Sequence, residues 1–166
     1  AGAGILPRVL EGTNIKVISI RDEINPSFGG INPEPIEKNL QALQEAVRSF
    51  HADIGIAVDG DGDRIGATDA RGRYLESGSI FAILLLYLIK EKRWNGSVVK
   101  TVSGTSLVEK IAKKYDLMLH ETPIGFKNIA NLMLRECVLM GAEESGGMGF
   151  FHSIAERDGV LSGILL

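Results

Sequence analysis

Only one cysteine, Cys137, occurs in the 166 residues. An internal disulfide is therefore excluded, as is any metal cluster built on several thiolates. A reducing, cytoplasmic setting is the expectation. Long apolar runs are also missing: the longest, Ile80–Ile89, is too short to span a bilayer, and the N-terminus lacks the regions of a signal peptide. Charge is nearly balanced, with a net value of −3, so there is no electrostatic reason to expect nucleic acid or an anionic membrane as partner. Any anionic ligand must be held by local positive charge. Aromatics are few, and Phe81, Tyr87 and Trp94 are expected in the core or at an interface. With 45% hydrophobic and 23% charged residues, the chain has a globular composition and enough length for one sizeable core or parts of two smaller ones.

No repeat and no low-complexity linker interrupts the chain; short β-rich runs alternate with helical stretches instead. Ile15–Ile20 and Ile54–Asp59 read as strands, the second nearly continuous in apolar character, as a buried parallel strand should be. Between them, Glu34–Phe50 has helical periodicity, with Ile36, Leu40, Leu43 and Val47 on one face. Ile65–Thr68 reads as a strand followed by a turn at 69–72. A helix capped by Ser77 or Ser79 is expected to run to about Arg93. Then come a strand at Ser97–Val102 with a helix near Ser106–Tyr115, and a strand at Leu117–Glu121 with a helix near Lys127–Arg135. Val138–Ala142 reads as a last strand leading into a Gly-rich loop, with Asp158 as N-cap of a terminal helix. The pattern predicts an α/β fold of mostly parallel sheets flanked by helices, in an α/β/α arrangement. The change of character around 69–76 divides it into 1–72 and 73–166, parts of two similar domains. Both ends are expected to be truncated, since no strand precedes Ala-Gly-Ala-Gly and the chain stops within the apolar run Val160–Leu166; a short docked helix is the alternative for the latter.

The chemistry is concentrated in Asp59-Gly60-Asp61-Gly62-Asp63-Arg64. Three carboxylates follow an apolar strand, separated by glycines that let the backbone fold tightly. Brought together they repel one another, and a hard divalent cation with oxygen ligands removes that cost. Mg²⁺ is favoured because it keeps positions open for water or phosphate oxygens. Arg64 can offer a planar fork to a phosphate beside the metal. A solvated Asp-Gly turn is the plain alternative. An EF-hand fails, because its sixth and twelfth positions would be Arg64 and Ala70 rather than Gly and Glu. A phosphatase with Asp59 as nucleophile is the enzymatic runner-up, although Gly62-Asp63 do not supply the Thr or Val expected after the second Asp.

Ligands of open α/β sheets lie beyond the carboxyl ends of the strands, and three further loops fall there. In Glu121–Lys127, Lys127 at a helix start reads equally as an anion ligand or a surface lysine. In Glu143-Glu144-Ser145-Gly146-Gly147, acids, a hydroxyl and glycines suit sugar hydroxyls, and a solvated turn has the same composition. In the stretch around His152 and Glu156-Arg157-Asp158-Gly159, Arg157 is a candidate phosphate ligand and Asp158 a cap. Ser103–Ser106 reads as a helix cap before it reads as a phosphate loop, and Phe28-Gly29-Gly30 with Pro26, Pro33 and Pro35 reads as an ordered loop without assigned chemistry.

Together these motifs resemble the α-D-phosphohexomutase family, the phosphoglucomutases and phosphomannomutases. Asp59–Arg64 is similar to the family's metal loop. The stretch from Gly2-Ala3-Gly4 through Pro26–Gly30 and Pro33-Glu34-Pro35 resembles the later half of its domain II. Thr122–Lys127, Glu143–Gly147 and Arg157-Asp158-Gly159 resemble successive loops of its domain III. The resemblance implies an enzyme that interconverts hexose 1-phosphate and hexose 6-phosphate, most simply glucose, through a phosphoserine and a hexose 1,6-bisphosphate. By position, Asp59, Asp61 and Asp63 would hold Mg²⁺. Arg64 and Lys127 would take catalytic roles, and Glu143, Ser145, His152 and Arg157 would contact substrate. The partners would be domains I and IV of the same enzyme.

The departures bear on activity. The family's phosphoserine motif is absent from this sequence, as is the phosphate-clamping fourth domain. Where some members end the sugar loop in Ser-Gly-His, Gly147 stands here. Without the serine no group carries the phosphoryl, so this chain is expected to be inactive by itself. A stand-alone module binding metal and sugar phosphate is the alternative.

Overall fold

Helix α3 (Ser77–Lys90) is apolar nearly all the way round, a composition that suits a helix covered on every side. Ile80, Phe81, Leu84, Leu85 and Leu88 are buried. A computed structural model, describing residues 3–166, places this helix between two sheets. Its side chains share one core with Ile65 and Ala67 of the first sheet and with Met140, Met148 and Phe150 of the second.

The first sheet is an antiparallel meander of β1 (Ile54–Val58), β2 (Ile65–Asp69) and β3 (Tyr74–Leu75). Helices α1 (Ile5–Val9) and α2 (Gln41–Phe50) precede it, and α2 packs on β1 through Val47. The second sheet has the order β5-β4-β6-β7, from β4 (Ser97–Thr101), β5 (Leu119–Thr122), β6 (Val138–Ala142) and β7 (Met148–Phe150). Strand β4 lies parallel to both β5 and β6, while β7 folds back antiparallel. Alternation along β4 divides the core: Val98 packs with α3 and α4 (Ser106–Lys114), and Val99 with Phe126 and Ile129 of α5 (Phe126–Met133). Helix α6 (Gly159–Leu165) closes the chain against the first sheet, with Gly163 against Ile56. Among the described residues, no helix is long and apolar enough to cross a membrane.

The α/β reading and the helix-flanked sheets stand, with four corrections. The helix expected over Glu34–Phe50 begins only at Gln41, after a 3-10 turn at Glu37–Asn39, and leaves Ile36 outside it. Ile15–Ile20 forms no strand; the Ile15 amide donates to the Thr13 hydroxyl at 3.2 Å rather than to a neighbouring strand, and Ile15, Val17, Ile18 and Ile20 are exposed. A strand needs a neighbour to take its amides and carbonyls, and none lies beside this segment among the described residues. Strand β1 is antiparallel rather than parallel, because Val58 pairs directly with Ile65 and so short a connection leaves no room for a crossover. Neither Ser77 nor Ser79 caps α3, which starts after Glu76 without a side-chain cap; the Ser77 hydroxyl donates to the Glu144 carbonyl at 2.5 Å. The caps read at the other helices are present: the Thr105 hydroxyl accepts from Leu107 N at 3.2 Å, and Asp158 Oδ1 from Leu161 N at 2.8 Å.

Candidate functional site

The aspartate loop is the hairpin connection between β1 and β2. Asp59 organises it: Oδ1 accepts from the amides of Gly62, Asp63 and Arg64 at 3.0, 3.0 and 3.1 Å, and Oδ2 accepts from Arg64 Nε at 2.6 Å. Gly62 turns with φ 82°, a conformation costly for a side chain. Asp59 is buried, Asp61 exposed and Asp63 partly covered, and one carboxylate oxygen from each lies within 4.8 Å of the others.

Burial would raise the Asp59 pKa, but the Arg64 side-chain and backbone donors outweigh it and hold the carboxyl below its ordinary value. Burial, and then the neighbouring Asp59, push Asp63 up to about 6 against the pull of Arg157. Crowded carboxylates of this kind favour a cation, and a set made only of carboxylate oxygens suits a hard one such as Mg²⁺. The residues present fit that ion. They do not fit a nucleophilic Asp59, whose Oδ1 is held by three amides and whose Oδ2, paired with Arg64, keeps a lone pair suited to a cation.

A segment that sequence reasoning left without chemistry covers this loop. The Phe28 ring packs so closely over Gly60 that a β-carbon there would come within 3.1 Å of it. Glu34, between two prolines, reaches Arg64 Nη1 at 3.5 Å. The Pro-Glu-Pro spacing marks an ordered turn, but no local signal says which arginine the glutamate meets.

The second wall comes from the loop after β6. The amide of Glu143 donates to the Gly147 carbonyl at 2.9 Å and the amide of Gly146 donates to the Glu143 carbonyl at 3.2 Å, so the turn is closed and Glu143 is buried at its base. Ser145 is exposed at the tip. Glu144 turns the other way and accepts from the Thr101 hydroxyl at 2.7 Å. Beside Glu143 and Glu144 lies a cavity of about 320 Å³, also lined by Tyr74, Ser77, Ser103 and Thr105. Hydroxyls and acids line it, and such a set suits a ligand rich in hydroxyl groups.

Backbone contacts join the two walls. Ile65 N donates to the Gly146 carbonyl and Gly159 N to the Gly62 carbonyl, both at 3.1 Å, and Arg64 forms an isolated bridge with Gly147. Arg157 spans them with its side chain: Nη2 meets Asp63 Oδ2 at 2.5 Å and Nη1 meets Glu143 Oε2 at 3.4 Å. The structure therefore gathers Asp59, Asp61, Asp63, Arg64, Glu143 and Arg157 at one place, with Ser145 at its rim.

Lys127 and His152 stand apart. Lys127 is exposed in the first turn of α5 and makes no ion pair among the described residues, although Phe126 beside it lies under the Arg157 guanidinium at 5.8 Å. His152 is at the other end of the second sheet, where Phe151 N donates to the Leu139 carbonyl near the start of β6. Its ring packs against Phe151 and Trp94, at centroid distances of 3.8 and 5.4 Å. The expected contact between His152 and substrate is not supported by this placement: β7 carries the chain away from Glu143 before the histidine is reached.

Two family models account for nearly all of the chain: phosphoglucomutase/phosphomannomutase α/β/α domain III over residues 76–166, and domain II of the same enzymes over residues 1–72. The chain belongs to the phosphoglucomutase/phosphomannomutase family. A phosphoglucomutase/phosphomannomutase of Thermococcus kodakarensis is 33% identical over 98% of this chain and 35% of its own length. A phosphoglucosamine/phosphogalactosamine mutase of Sulfurisphaera tokodaii is 33% identical over 99% of this chain and 36% of its own. The Thermus thermophilus crystal structure described as a phosphomannomutase superposes with a TM-score of 0.94 at 36% identity, covering 99% of this chain and 38% of that one. The chain thus spans little more than a third of these phosphohexomutases, whose names divide among glucose, mannose and amino-sugar phosphates.

Proposed function

We propose that this chain forms the cation-binding and sugar-facing walls of a phosphohexomutase that interconverts hexose 1-phosphate and hexose 6-phosphate, with glucose as the leading hexose. The observation that carries this reading is the union of the three-aspartate loop with Glu143 through Arg157. Asp59 shapes the loop, and Asp59, Asp61 and Asp63 would each offer a carboxylate oxygen to a Mg²⁺. When bound, that ion concentrates positive charge where phosphoryl oxygens must be neutralised. Arg64, oriented by Asp59 and Glu34, offers its remaining N–H groups to the same oxygens. Glu143 and Ser145 accept and donate hydrogen bonds to sugar hydroxyls beside the cavity. Lys127, unpaired and exposed, is free to reach a phosphate that enters past α5.

The phosphoryl-carrying serine and the clamp for the distal phosphate belong, in this reading, to domains I and IV of the same enzyme. The chain by itself then binds without turnover. Incubating it with glucose 1-phosphate, Mg²⁺ and a trace of glucose 1,6-bisphosphate should yield no glucose 6-phosphate above the uncatalysed level. Turnover by the isolated chain would overturn the proposed division of labour.

A further inference from the structure

Arg157 approaches the aspartate loop from the segment just before α6, and it is the one cation outside the loop that forms an ion pair with it among the described residues. Two features hold it there, and a third leaves one of its donors unmet. Its Nη2 sits on Asp63 and its Nη1 on Glu143. Its aliphatic stem crosses Gly147 so closely that a β-carbon at that glycine would overlap it. Its Nε is buried without a hydrogen bond, 3.6 Å from Glu156. The guanidinium therefore faces two acids that do not belong to one another, one from each wall.

We propose that Arg157 is a positioning residue that acts as an internal counter-cation, holding Asp63 and Glu143 together until a divalent cation takes Asp63 and frees the guanidinium for an anionic ligand. This rests on the reading of Asp59, Asp61 and Asp63 as a cation site. The physical ground is competition for one carboxylate. A dication drawn to Asp63 reduces the charge that Arg157 feels, and the arginine in turn repels the incoming ion. Part of the arginine's hold is then lost, while the stem over Gly147 keeps the head close to the site.

A purely structural arginine and a counter-cation give opposite results on removal. Replacing it by Arg157→Gln and titrating with Mg²⁺ alone by calorimetry should lower the dissociation constant about three- to tenfold, because a competing charge is gone. Unchanged or weaker Mg²⁺ binding by a variant that keeps the wild-type circular dichroism overturns the proposal. A second measurement needs no variant. Phenylglyoxal labelling of the wild-type chain, mapped by mass spectrometry to the peptide holding Arg157, should run at least about twofold faster with saturating Mg²⁺, as expected of a freed guanidinium. A rate insensitive to Mg²⁺ overturns the proposal equally. If the wild-type chain binds no Mg²⁺ at millimolar concentration, the cation-site reading fails and the coupling with it. If Mg²⁺ binds and Asp61→Asn abolishes it, yet Arg157→Gln binds no tighter, only the coupling falls.

Discussion

Gly159 lies flat against the backbone of Arg64: its amide donates to the Gly62 carbonyl at 3.1 Å, and a β-carbon added to it would overlap the Arg64 peptide. The first residue of α6 thus braces the aspartate loop from behind, where the next atoms are backbone that cannot swing aside.

Gly159→Ala should accordingly destabilise the chain by about 1–3 kcal/mol, the usual cost of forcing a methyl group into a packed site. Thermal unfolding checks this. Mg²⁺ affinity should fall in the same variant, since the loop must shift to make room. An alanine variant with wild-type melting and binding would mean the brace is not tight.

Asp59 should act as both scaffold and ligand, and Asp61 as ligand alone. Asp59 accepts three amides and the Arg64 Nε, so Asp59→Ala leaves those donors unmet and should cost about 2–4 kcal/mol. Asp61 is exposed, so Asp61→Asn should leave the melting temperature within about 2 °C, as surface substitutions usually do in a chain of this size, and still weaken Mg²⁺ binding. Parallel melts and titrations of the two variants test the distinction. Equal loss of stability would remove it.

Asp63 should make the metal-free chain less stable at neutral pH. Its pKa in the fold, about 6, lies above the value of about 3.9 for an unfolded aspartate. The folded state therefore holds the proton more tightly, and this favourable contribution is lost as pH rises through about 6. Asp59, held below its ordinary value, works the other way: its contribution is present above about pH 4 and is lost on further acidification. With chelator present, melting should occur at a higher temperature at pH 5 than at pH 7.5. Asp63→Asn should flatten that difference. A melting temperature that rises from pH 5 to 7.5 in chelator, and does so equally in the variant, would contradict the assignment.

Much of the site was legible because its chemistry is local. The aspartates alternate with glycines over a few residues, and that pattern needs no fold to suggest a cation. Apolar spacing made α2 legible from Gln41 onward, α4 and α5 followed from the strand–helix alternation, and Asp158 was legible from its position before an apolar run. Strand β7 was hidden because only Met148–Phe150 pair, inside a glycine-rich stretch that reads equally as loop. Ile15–Ile20 misled for the opposite reason. Its β-branched composition states a preference for extended backbone, and extended backbone becomes a strand only when a neighbour is present.

The sequence by itself determined the aspartate loop, the α/β alternation and the loops at the strand ends, since each depends on residues close together in the chain. Tertiary structure alone decided which of those loops meet. It brought Arg157 onto both Asp63 and Glu143, seated Glu34 on Arg64, and carried His152 to the far end of the second sheet. Contacts of that kind join distant segments, and they are fixed by how α3 and α6 pack on the two sheets. No local pattern encodes that packing.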